Sequence, residues 1–539
     1  MTSDGKRAVV RGGTDLGVML SVAIATFLCS LTIPGNGMAA NIVVNSLEDT
    51  VVNGDGLCTL REAILNAELD NRSSSTDCAA GSGADTITFS LSGTIILNSG
   101  LGISTAGGLT IDGEKGITIS GNEFVGARLL TVDAPGVLAL QHLTITNGVN
   151  GSISSSGTMT ISHSTISNAF PAIFNNGTMV ISVSTVSDNL IEGHGGSGPI
   201  GSGIHNGGTM TISNSTVSGN IVGGKPAFEG ISGGGIYNGK EATLTISNST
   251  VSDNSCGRFC TIVSGIYNEG TLTLIHSTVS DNGPGIFNSG TLKLYTSLIA
   301  DGCVGPITSL GYNLDQTGTC GLTGPGDQSN LDPRVDPAGL KDNGGPTKTI
   351  ALCTGSGAPT GCTGKSPAID AVPLAQCTGT GGQPLSLDQR SFFRPADGDR
   401  NGTTLCDMGA LEATSSPLTT LNNLVTFTPL PATYRTSRDT TGCPAGYVGK
   451  FHFTADLANK PGSPPGKHLV TEVTTLTRGN LVLNADGGLG GDGATVTFGP
   501  NGQYTDGVLS AKEHVALPVT LCLKTFNQFT FFVDVLGTR

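Results

Sequence analysis

The sequence predicts an all-β protein built on a right-handed parallel β-helix of about ten coils with three strands per coil, with N- and C-terminal caps and a C-terminal β-sandwich domain. Three observations lead to this prediction. An eleven-residue pattern recurs between residues 157 and 300. The 81 glycines and 13% charged residues favour short strands joined by tight turns. Amphipathic helical periodicity is nearly absent outside residues 59–69.

Residues 1–40 have the layout of a secretory signal peptide. Basic residues come first, an apolar stretch covers residues 16–33, and small residues at 37–40 suit cleavage. A membrane anchor is the alternative, but the short apolar run followed by Pro34 favours the signal. We therefore expect a secreted protein, extracellular or at the bacterial cell surface, that does not span the membrane once the signal is removed.

The charge balance narrows the class of partner. The formal net charge is −14 at pH 7. Nucleic acids and anionic membrane surfaces are recognised by basic patches, so the sequence argues against both as partners. A polysaccharide or a cell-surface glycan remains open as a partner.

The cysteines agree with an oxidising compartment. Twelve lie beyond residue 40, and an even number in an exported chain predicts disulfides. Zinc is the weaker alternative, because no spacing is a paired C-x-x-C. Pairing each cysteine with its neighbour gives six local bridges: Cys58–Cys78, Cys256–Cys260, Cys303–Cys320, Cys353–Cys362, Cys377–Cys406 and Cys443–Cys522.

The spacing of the repeat indicates the length of one coil and the place where insertions occur. Its six clear copies start at residues 157, 177, 208, 242, 270 and 290, at spacings of 20, 31, 34, 28 and 20. Two spacings are the bare unit of twenty residues, which is too short for a propeller blade. Most of the added length falls after the STVS segment, so we expect insertions at one permissive corner.

Each repeat holds three strand-like pieces. In the first piece, residues such as Met159 and Ile161 alternate with polar residues and face inward. The second and third pieces each place one β-branched residue inward. A single coil cannot bury such small apolar sets, but stacked coils align them into continuous columns. Asparagine follows the second and third strands at fixed places, and we interpret both asparagine columns as structural ladders.

Three further segments flank the predicted β-helix of residues 86–330. An open β-helix exposes strand edges, so residues 41–85 and 331–415 are expected to be caps. The first contains the one plausible amphipathic helix of the mature chain, at 58–68. Residues 416–539 are expected to form a separate β-sandwich domain of immunoglobulin-like size.

Several motifs in these flanking segments carry a family resemblance. CTLREA at 58–63 resembles the motif of the CSLREA-domain proteins, with Thr59 in place of serine. The choice-of-anchor Q module is similar at four places: DNGGPT at 342–347, SPAID at 366–370, DQRSFFRP at 388–395 and CDMGALE at 406–412. The resemblance covers residues 41 to 412. It implies a secreted or surface-attached bacterial protein with a pectin-lyase-like β-helix, and it implies no particular activity.

The inserted loops are the first candidate site. Residues 190–203, 221–235 and 255–264 are expected to become neighbours on one side of the coils. Solvated loops over a permissive corner are the alternative. The loops gather rare functional side chains, which form a candidate binding or catalytic surface: Glu192, His194, Lys225, Glu229 and Arg258.

A column of rings is the second candidate. Alternation along the third strand predicts outward-facing rings stacked one above another, at Phe174, His205, Tyr237, Tyr267 and Phe287. Such stacking stabilises a structure by ~0.5–1.5 kcal/mol per pair, so a structural role is the default. An exposed ring column is also a surface for the faces of sugars.

A calcium loop is the third candidate, and calcium is the one cofactor for which the sequence gives an indication. Asp397, Asp399 and Asn401 match the first half of an acidic calcium loop. The glutamate expected at the twelfth position is Met408, so the match is partial and a plain turn is the alternative.

These features favour a secreted or cell-surface protein that presents loops for adhesion or glycan binding, without an evident catalytic constellation. No lysine or arginine lies between residues 129 and 224, although cleavage of acidic polysaccharides needs positive charge beside the uronate. Neither G-x-S-x-G nor H-E-x-x-H is present. The alternative is a polysaccharide lyase, glycoside hydrolase or epimerase that uses the inserted loops of residues 190–264.

Overall fold

The computed structural model describes two compact units, which are treated separately. The first unit contains residues 36–381 together with 388–415, and the second contains 382–387 together with the residues from 416 onward. The described residues are 39–121, 128–149, 151–192, 201–223, 231–256, 262–355, 358–399, 401–413, 419–443, 446–485, 494–498, 508–527 and 529–538.

The first unit is a parallel β-helix with three strands per coil, as the sequence predicts. The first two strands of each coil form a large parallel sheet with two arms. The first arm contains Asn41–Val44, Asp85–Phe89, Leu109–Gly121, Val137–Thr146, Thr158–Ser162, Thr178–Ser182, Thr209–Ser213, Thr243–Ser247, Thr271–Ile275, Thr291–Tyr295 and Thr308–Gly311. The second arm contains Gly93–Leu97, the ends of Leu109–Gly121 and Val137–Thr146, then Thr165–Ser167, Thr185–Ser187, Thr216–Ser218, Thr250–Ser252, Thr278–Ser280, Leu298–Ile299, Leu314–Asp315 and Gln328–Ser329.

The third strands build two further parallel sheets. The second sheet has nine strands among the described residues, at Leu101–Ile103, Leu130–Val132, Ile153–Ser155, Ile173–Asn175, Ile204–Asn206, Ile231–Asn238, Ile262–Asn268, Ile286–Asn288 and Cys303–Val304. A small third sheet stacks the bases of the insertions, at Leu190–Glu192, Ile221–Gly223 and Ser255–Cys256.

Equivalent residues of successive coils are exact register partners, and this register builds the core. Met159 pairs with Met179 and Ile161 pairs with Ile181, and all four side chains are 0% exposed. The inward apolar residues of the stacked coils, from Ile42 to Ile299, belong to one continuous apolar cluster. Burial of apolar surface at ~25 cal/mol per Å² therefore accumulates coil by coil, although no single coil encloses a core.

Left-handed backbone conformations close two corners of each coil. Between the two arms the residue with positive φ is His163, Val183 or Asn214, with φ of 48°, 49° and 48°. After the second arm it is Asn168 or Asp188, with φ of 52° and 57°. The asparagine column that the sequence predicts after the second strand therefore does not include Asn168, which occupies the turn position; Ala169 is the residue whose backbone meets the ladder asparagine Asn189.

Two buried asparagine ladders run along the helix, as expected. In the first, the amide nitrogen of each asparagine donates to the amide oxygen of the next at 2.6–2.8 Å, in the order Asn175, Asn206, Asn238, Asn268, Asn288. In the second, the order is Asn189, Asn220, Asn254, Asn282, and Asn282 donates to Asp301. Both ladders satisfy polar groups that the stacking would otherwise leave buried without partners.

The CTLREA motif builds the N-terminal helix, Leu60–Glu68. Thr59 is its N-cap and forms a capping box with Glu62. Arg61 binds both carboxylate oxygens of Asp49, at 2.7 and 2.9 Å, and donates to backbone carbonyls of residues 99 and 100. Leu60 packs into the apolar cluster of the coils. These residues therefore form the N-terminal cap and leave no side chain of the motif for chemistry.

Residues 331–381 and 388–415, here called the flank segment, lie along the second arm. The segment has little regular structure beyond the 3₁₀ turns Leu374–Gln376 and Thr380–Gly382, the latter ending in the second unit. Gln389 donates to Thr216 and accepts from Thr250, two residues of successive coils. Thr278 accepts from the backbone of Ala410. The sequence indicates a cap, and the structure shows that this segment also covers a side of the coils.

Five of the six neighbouring cysteine pairs are disulfides: Cys58–Cys78, Cys303–Cys320, Cys353–Cys362, Cys377–Cys406 and Cys443–Cys522. Cys260 of the predicted Cys256–Cys260 pair and the side chain of Cys256 lie outside what the structure describes, as does the predicted signal peptide apart from residues 39 and 40. None of the described helices combines the length and the apolar character needed to cross a membrane.

The second unit contains two antiparallel sheets around one apolar core, as the predicted sandwich requires. One sheet contains Thr419–Thr420, Phe531–Thr538, Gly466–Leu476, Thr495–Thr497 and Val508–Leu509. The other contains Val425–Pro429, Arg435–Ser437, Gly449–Asn459, His514–Leu523 and Leu481–Val482, and a 3₁₀ turn lies at Pro431–Thr433. The long strands Gly449–Asn459 and His514–Leu523 pair with each other and alternate buried and accessible residues along most of their length.

Candidate functional site

The inserted loops begin side by side. Leu190 pairs with Ile221, which pairs with Ser255, so the three insertions leave successive coils in register. Ile191 and Val222 are 0% exposed and anchor two of these bases in the interior. The candidate residues His194, Lys225, Glu229 and Arg258 lie outside the described residues, and so does the side chain of Glu192. This candidate surface therefore stays a prediction.

The ring column is present. Phe174 and His205 stack with ring centroids 4.1 Å apart and planes 9° apart. The following pairs, His205–Tyr237, Tyr237–Tyr267 and Tyr267–Phe287, have centroids 4.7, 5.6 and 5.3 Å apart. The spacing follows from the parallel register of the second sheet, in which these five residues are direct partners.

The column is less accessible than the sequence predicts. Tyr237 and Tyr267 are 8% and 5% exposed, whereas Phe174, His205 and Phe287 are partly exposed. Rings one strand spacing apart cover each other's faces, so the middle of the column presents little surface. The expected exposure of the column is therefore wrong for the two tyrosines. A ligand would meet the rings toward the two ends of the column and the polar groups between them.

A carboxylate joins the two buried tyrosines. The Tyr237 hydroxyl donates to one oxygen of Glu269 at 2.6 Å, and the Tyr267 hydroxyl donates to the other at 2.8 Å. Burial raises the pKa of both phenols, and the hydrogen bond to Glu269 raises it further, so both stay protonated donors at neutral pH. Glu269 itself is partly exposed in the turn after Ile262–Asn268.

Sequence analysis missed Glu269. Its position follows the ladder asparagine, and the equivalent residues of the other coils are Asn176, Gly207, Gly239 and Ser289. A single charge at a position that is uncharged in the neighbouring coils is the signal that identifies it. The contact between this charge and the two phenols depends on how neighbouring coils stack. The repeat pattern alone does not give the distances between side chains of stacked coils.

The N-terminal end of the column carries a cation. The Arg128 guanidinium lies 5.8 Å from the centre of the Phe174 ring and donates to Ser154 at 2.7 Å. Burial lowers the pKa of His205 to about 4, so its imidazole is neutral at physiological pH. The face thus combines neutral rings with a guanidinium at one end and a carboxylate near the other.

Two of the three calcium candidates lie in an acidic cluster. Carboxylate oxygens of Asp397, Asp399 and Asp370 lie within 4.8 Å of one another, and Asp370 was not part of the prediction. Lys365 binds Asp399 at 2.8 Å and lowers the pKa of its carboxyl. The Asn401 side-chain oxygen accepts from the backbone of Thr403 at 2.7 Å. An ammonium group and turn hydrogen bonds thus already engage this loop, and calcium binding stays a prediction.

A buried charge cluster holds the flank segment together. Arg394, which is 0% exposed, pairs with Glu412 at 3.1 Å and donates to the Nδ1 atom of His276 at 2.6 Å. Burial raises the pKa of Asp407 to about 7, and burial together with the Asp407 charge raises the pKa of Glu412. Asp407, Glu412 and Arg394 are all fully buried, and Arg394 joins the segment to the coil of His276.

The stacked coils, the ladders and the cap define the class: a parallel β-helix protein with an antiparallel β-sandwich unit. No protein-family model matches the chain, and no curated protein sequence matches it. The resemblance to CSLREA-domain and choice-of-anchor Q proteins therefore stays a prediction.

Among solved structures, a match is the enzymatically active domain of tailspike protein 4 of bacteriophage CBA120. The identity is 10% and the TM-score 0.25; the alignment covers 84% of this chain and 64% of the tailspike domain, which is less than two thirds of it. A similarity this weak does not support a conclusion about function. The functional proposal therefore depends on the geometry of this chain itself.

Proposed function

We propose that this protein is a secreted or cell-surface β-helix protein that binds a glycan on the outer face of the second sheet. The observation that carries the proposal is the ring column with Glu269 beside it. Partly exposed rings at Phe174, His205 and Phe287 offer apolar surface to sugar faces. Glu269 offers an acceptor to sugar hydroxyls, and its two phenol donors fix its orientation.

The charge of the face favours a neutral or amino-containing glycan over a polyuronate. The whole chain carries a formal net charge of −14, and the charged group within the column is the carboxylate of Glu269. An anionic polymer would meet repulsion at Glu269, whereas Arg128 at the other end of the column provides a single point of attraction. Adhesion through such a glycan fits the predicted export of the chain.

A polysaccharide-active enzyme is the second candidate function. The cluster of Tyr237, Tyr267 and Glu269 is the observation that favours it, because a carboxylate beside two hydroxyls provides acid and base groups. Glycoside hydrolysis uses two carboxylates, and the inserted loops, with Glu192 and Glu229, are the proposed source of the second. Cleavage therefore distinguishes this candidate from simple binding.

The test is a polysaccharide panel with the chain from residue 41 onward, with and without calcium, recording both binding and new reducing or unsaturated ends. We expect binding without new ends, and weaker binding by several-fold in Glu269→Gln. The matched control is Glu241→Gln, an exposed glutamate in the corresponding turn of the preceding coil, which is expected to bind as the wild type does. Absence of binding to every polysaccharide contradicts the proposal, and new chain ends establish the enzymatic alternative.

A further inference from the structure

A second outward face of the helix carries a regular array of threonines. In the first arm, the pattern Thr-x-Thr places the intervening Met or Leu inward and the two flanking residues outward. The structure stacks these outward residues in two columns, here called the threonine face. One column is Thr158, Thr178, Thr209, Thr243, Thr271 and Thr291, and the other is Thr160, Val180, Thr211, Thr245, Thr273 and Lys293.

The threonine face is accessible and its hydroxyls are unused. All six residues of the first column are exposed, and the threonines of the second column are partly exposed. None of these threonine side chains makes a hydrogen bond within the described part of the chain. Ten hydroxyls and their methyl groups therefore meet water directly, and no charged side chain interrupts the array before Lys293.

The backbone fixes the spacing of the array. The register between successive strands has no shift from Thr158–Ser162 to Thr291–Tyr295. Neighbouring strands lie ~4.8 Å apart, and residues two apart along a strand lie ~6.6 Å apart. The insertions leave the helix after the second arm, so the turns that border this face stay two to four residues long.

A periodic and uncharged surface is complementary to a crystal surface that repeats at the same distances. We infer that the threonine face binds ice. The two repeat distances lie close to oxygen spacings in hexagonal ice, so water held between the threonine hydroxyls and around their methyl groups adopts positions that match the crystal lattice. Each strand of the threonine face contributes a weak contact, but six strands on one scaffold bind at the same time, and the combined binding is strong.

Crystalline polysaccharide is the competing occupant, and the composition of the face argues against it. Sugar faces stack on aromatic rings, and the described threonine face has none in its two columns. The ring column lies on the second sheet, a different side of the coil. The inference is therefore independent of the proposed glycan binding, and either one can fail without the other.

The experiment measures thermal hysteresis and partition into slowly grown ice with the chain from residue 41 onward. We expect a measurable gap between freezing and melting, shaped ice crystals, and enrichment of the protein in the ice fraction. The double variant Thr211→Tyr/Thr245→Tyr, in the middle of the face, is expected to reduce the gap several-fold. Circular dichroism melting verifies that this variant keeps the wild-type fold.

The matched control is Thr165→Tyr/Thr185→Tyr, which changes two partly exposed threonines of the second arm and is expected to keep full hysteresis. Glu269→Gln is expected to keep it as well, which separates this face from the glycan site. A wild-type protein without hysteresis and without ice partition overturns the inference. So does a folded tyrosine variant with full activity, and so does binding of the face to crystalline cellulose or chitin in place of ice.

Discussion

Replacement of Asn206 by alanine tests whether the asparagine ladders stabilise the β-helix. The Asn206 side chain is 0% exposed and donates to Asn238, Gly208 and Thr243 at 2.8, 3.1 and 3.2 Å. It also accepts from Asn175 and from the backbone of Gly208. Alanine removes all five hydrogen bonds and leaves buried partners without water. At ~1 kcal/mol for each net bond, we expect a loss of about 3–5 kcal/mol in the free energy of unfolding.

The assay is guanidinium denaturation followed by far-ultraviolet circular dichroism, with the transition of the β-helix fitted separately from any second transition. The matched control is Asn176→Ala, one residue beyond the ladder asparagine of the preceding coil. Asn176 is exposed and its side chain makes no hydrogen bond within the described residues, so we expect a change below about 0.5 kcal/mol. Equal effects of the two substitutions would refute the reasoning, because burial and hydrogen bonding distinguish them.

Three further predictions concern the cap and the flank segment. Arg61→Ala leaves the buried Asp49 carboxylate unpaired and is expected to cost about 2–4 kcal/mol in unfolding free energy, measured by denaturation; an effect as small as that of an exposed ion pair would contradict this. Replacing Cys58 and Cys78 by serine opens a bridge between residues 20 apart and is expected to cost about 3 kcal/mol, and an unchanged melting temperature would show that the bridge contributes nothing. Because burial raises the pKa of Asp407 to about 7, the folded protein keeps a proton that the unfolded chain releases at pH ~4, so stability is expected to fall as the pH rises from about 4 to about 7 and to level off above that range. Asp407→Asn is expected to flatten the dependence of melting temperature on pH in this range, and an equally steep profile in this variant would rule out Asp407 as the cause.

Much of the fold can be predicted from short stretches of sequence, because each repeat is formed by residues that lie close together in the chain. The alternation in Thr158–Ser162 fixes which residues face inward, and the constant asparagines mark where each strand ends. The second unit has no such repeat. Gly449–Asn459 alternates buried and accessible residues as clearly as any repeat strand, but a single copy of the pattern does not identify the strand that pairs with it.

The candidate site was less predictable. The ring column follows from the repeat, since equivalent positions of successive coils must stack. The burial of Tyr237 and Tyr267 does not follow, because exposure depends on how neighbouring rings cover each other. Glu269 was missed because its importance comes from two partners that lie 32 and 2 residues away in the sequence. Asp370 was missed for the same reason, since it joins Asp397 and Asp399 only after the flank segment folds.

The sequence by itself determined the coil: its length, its inward residues, its turn asparagines, its permissive corner and the pairing of neighbouring cysteines. These properties depend on residues close together in the chain, where periodicity and turn chemistry act directly. Only the tertiary structure decided which side of the coils the flank segment covers, which charges are buried there, and how Glu269 joins two tyrosines. It also decided that the outward threonines of the first arm stack in two columns. Insertions of different lengths separate equivalent residues by 20 to 34 positions, and the hydrogen-bonded register of stacked strands brings them to one spacing.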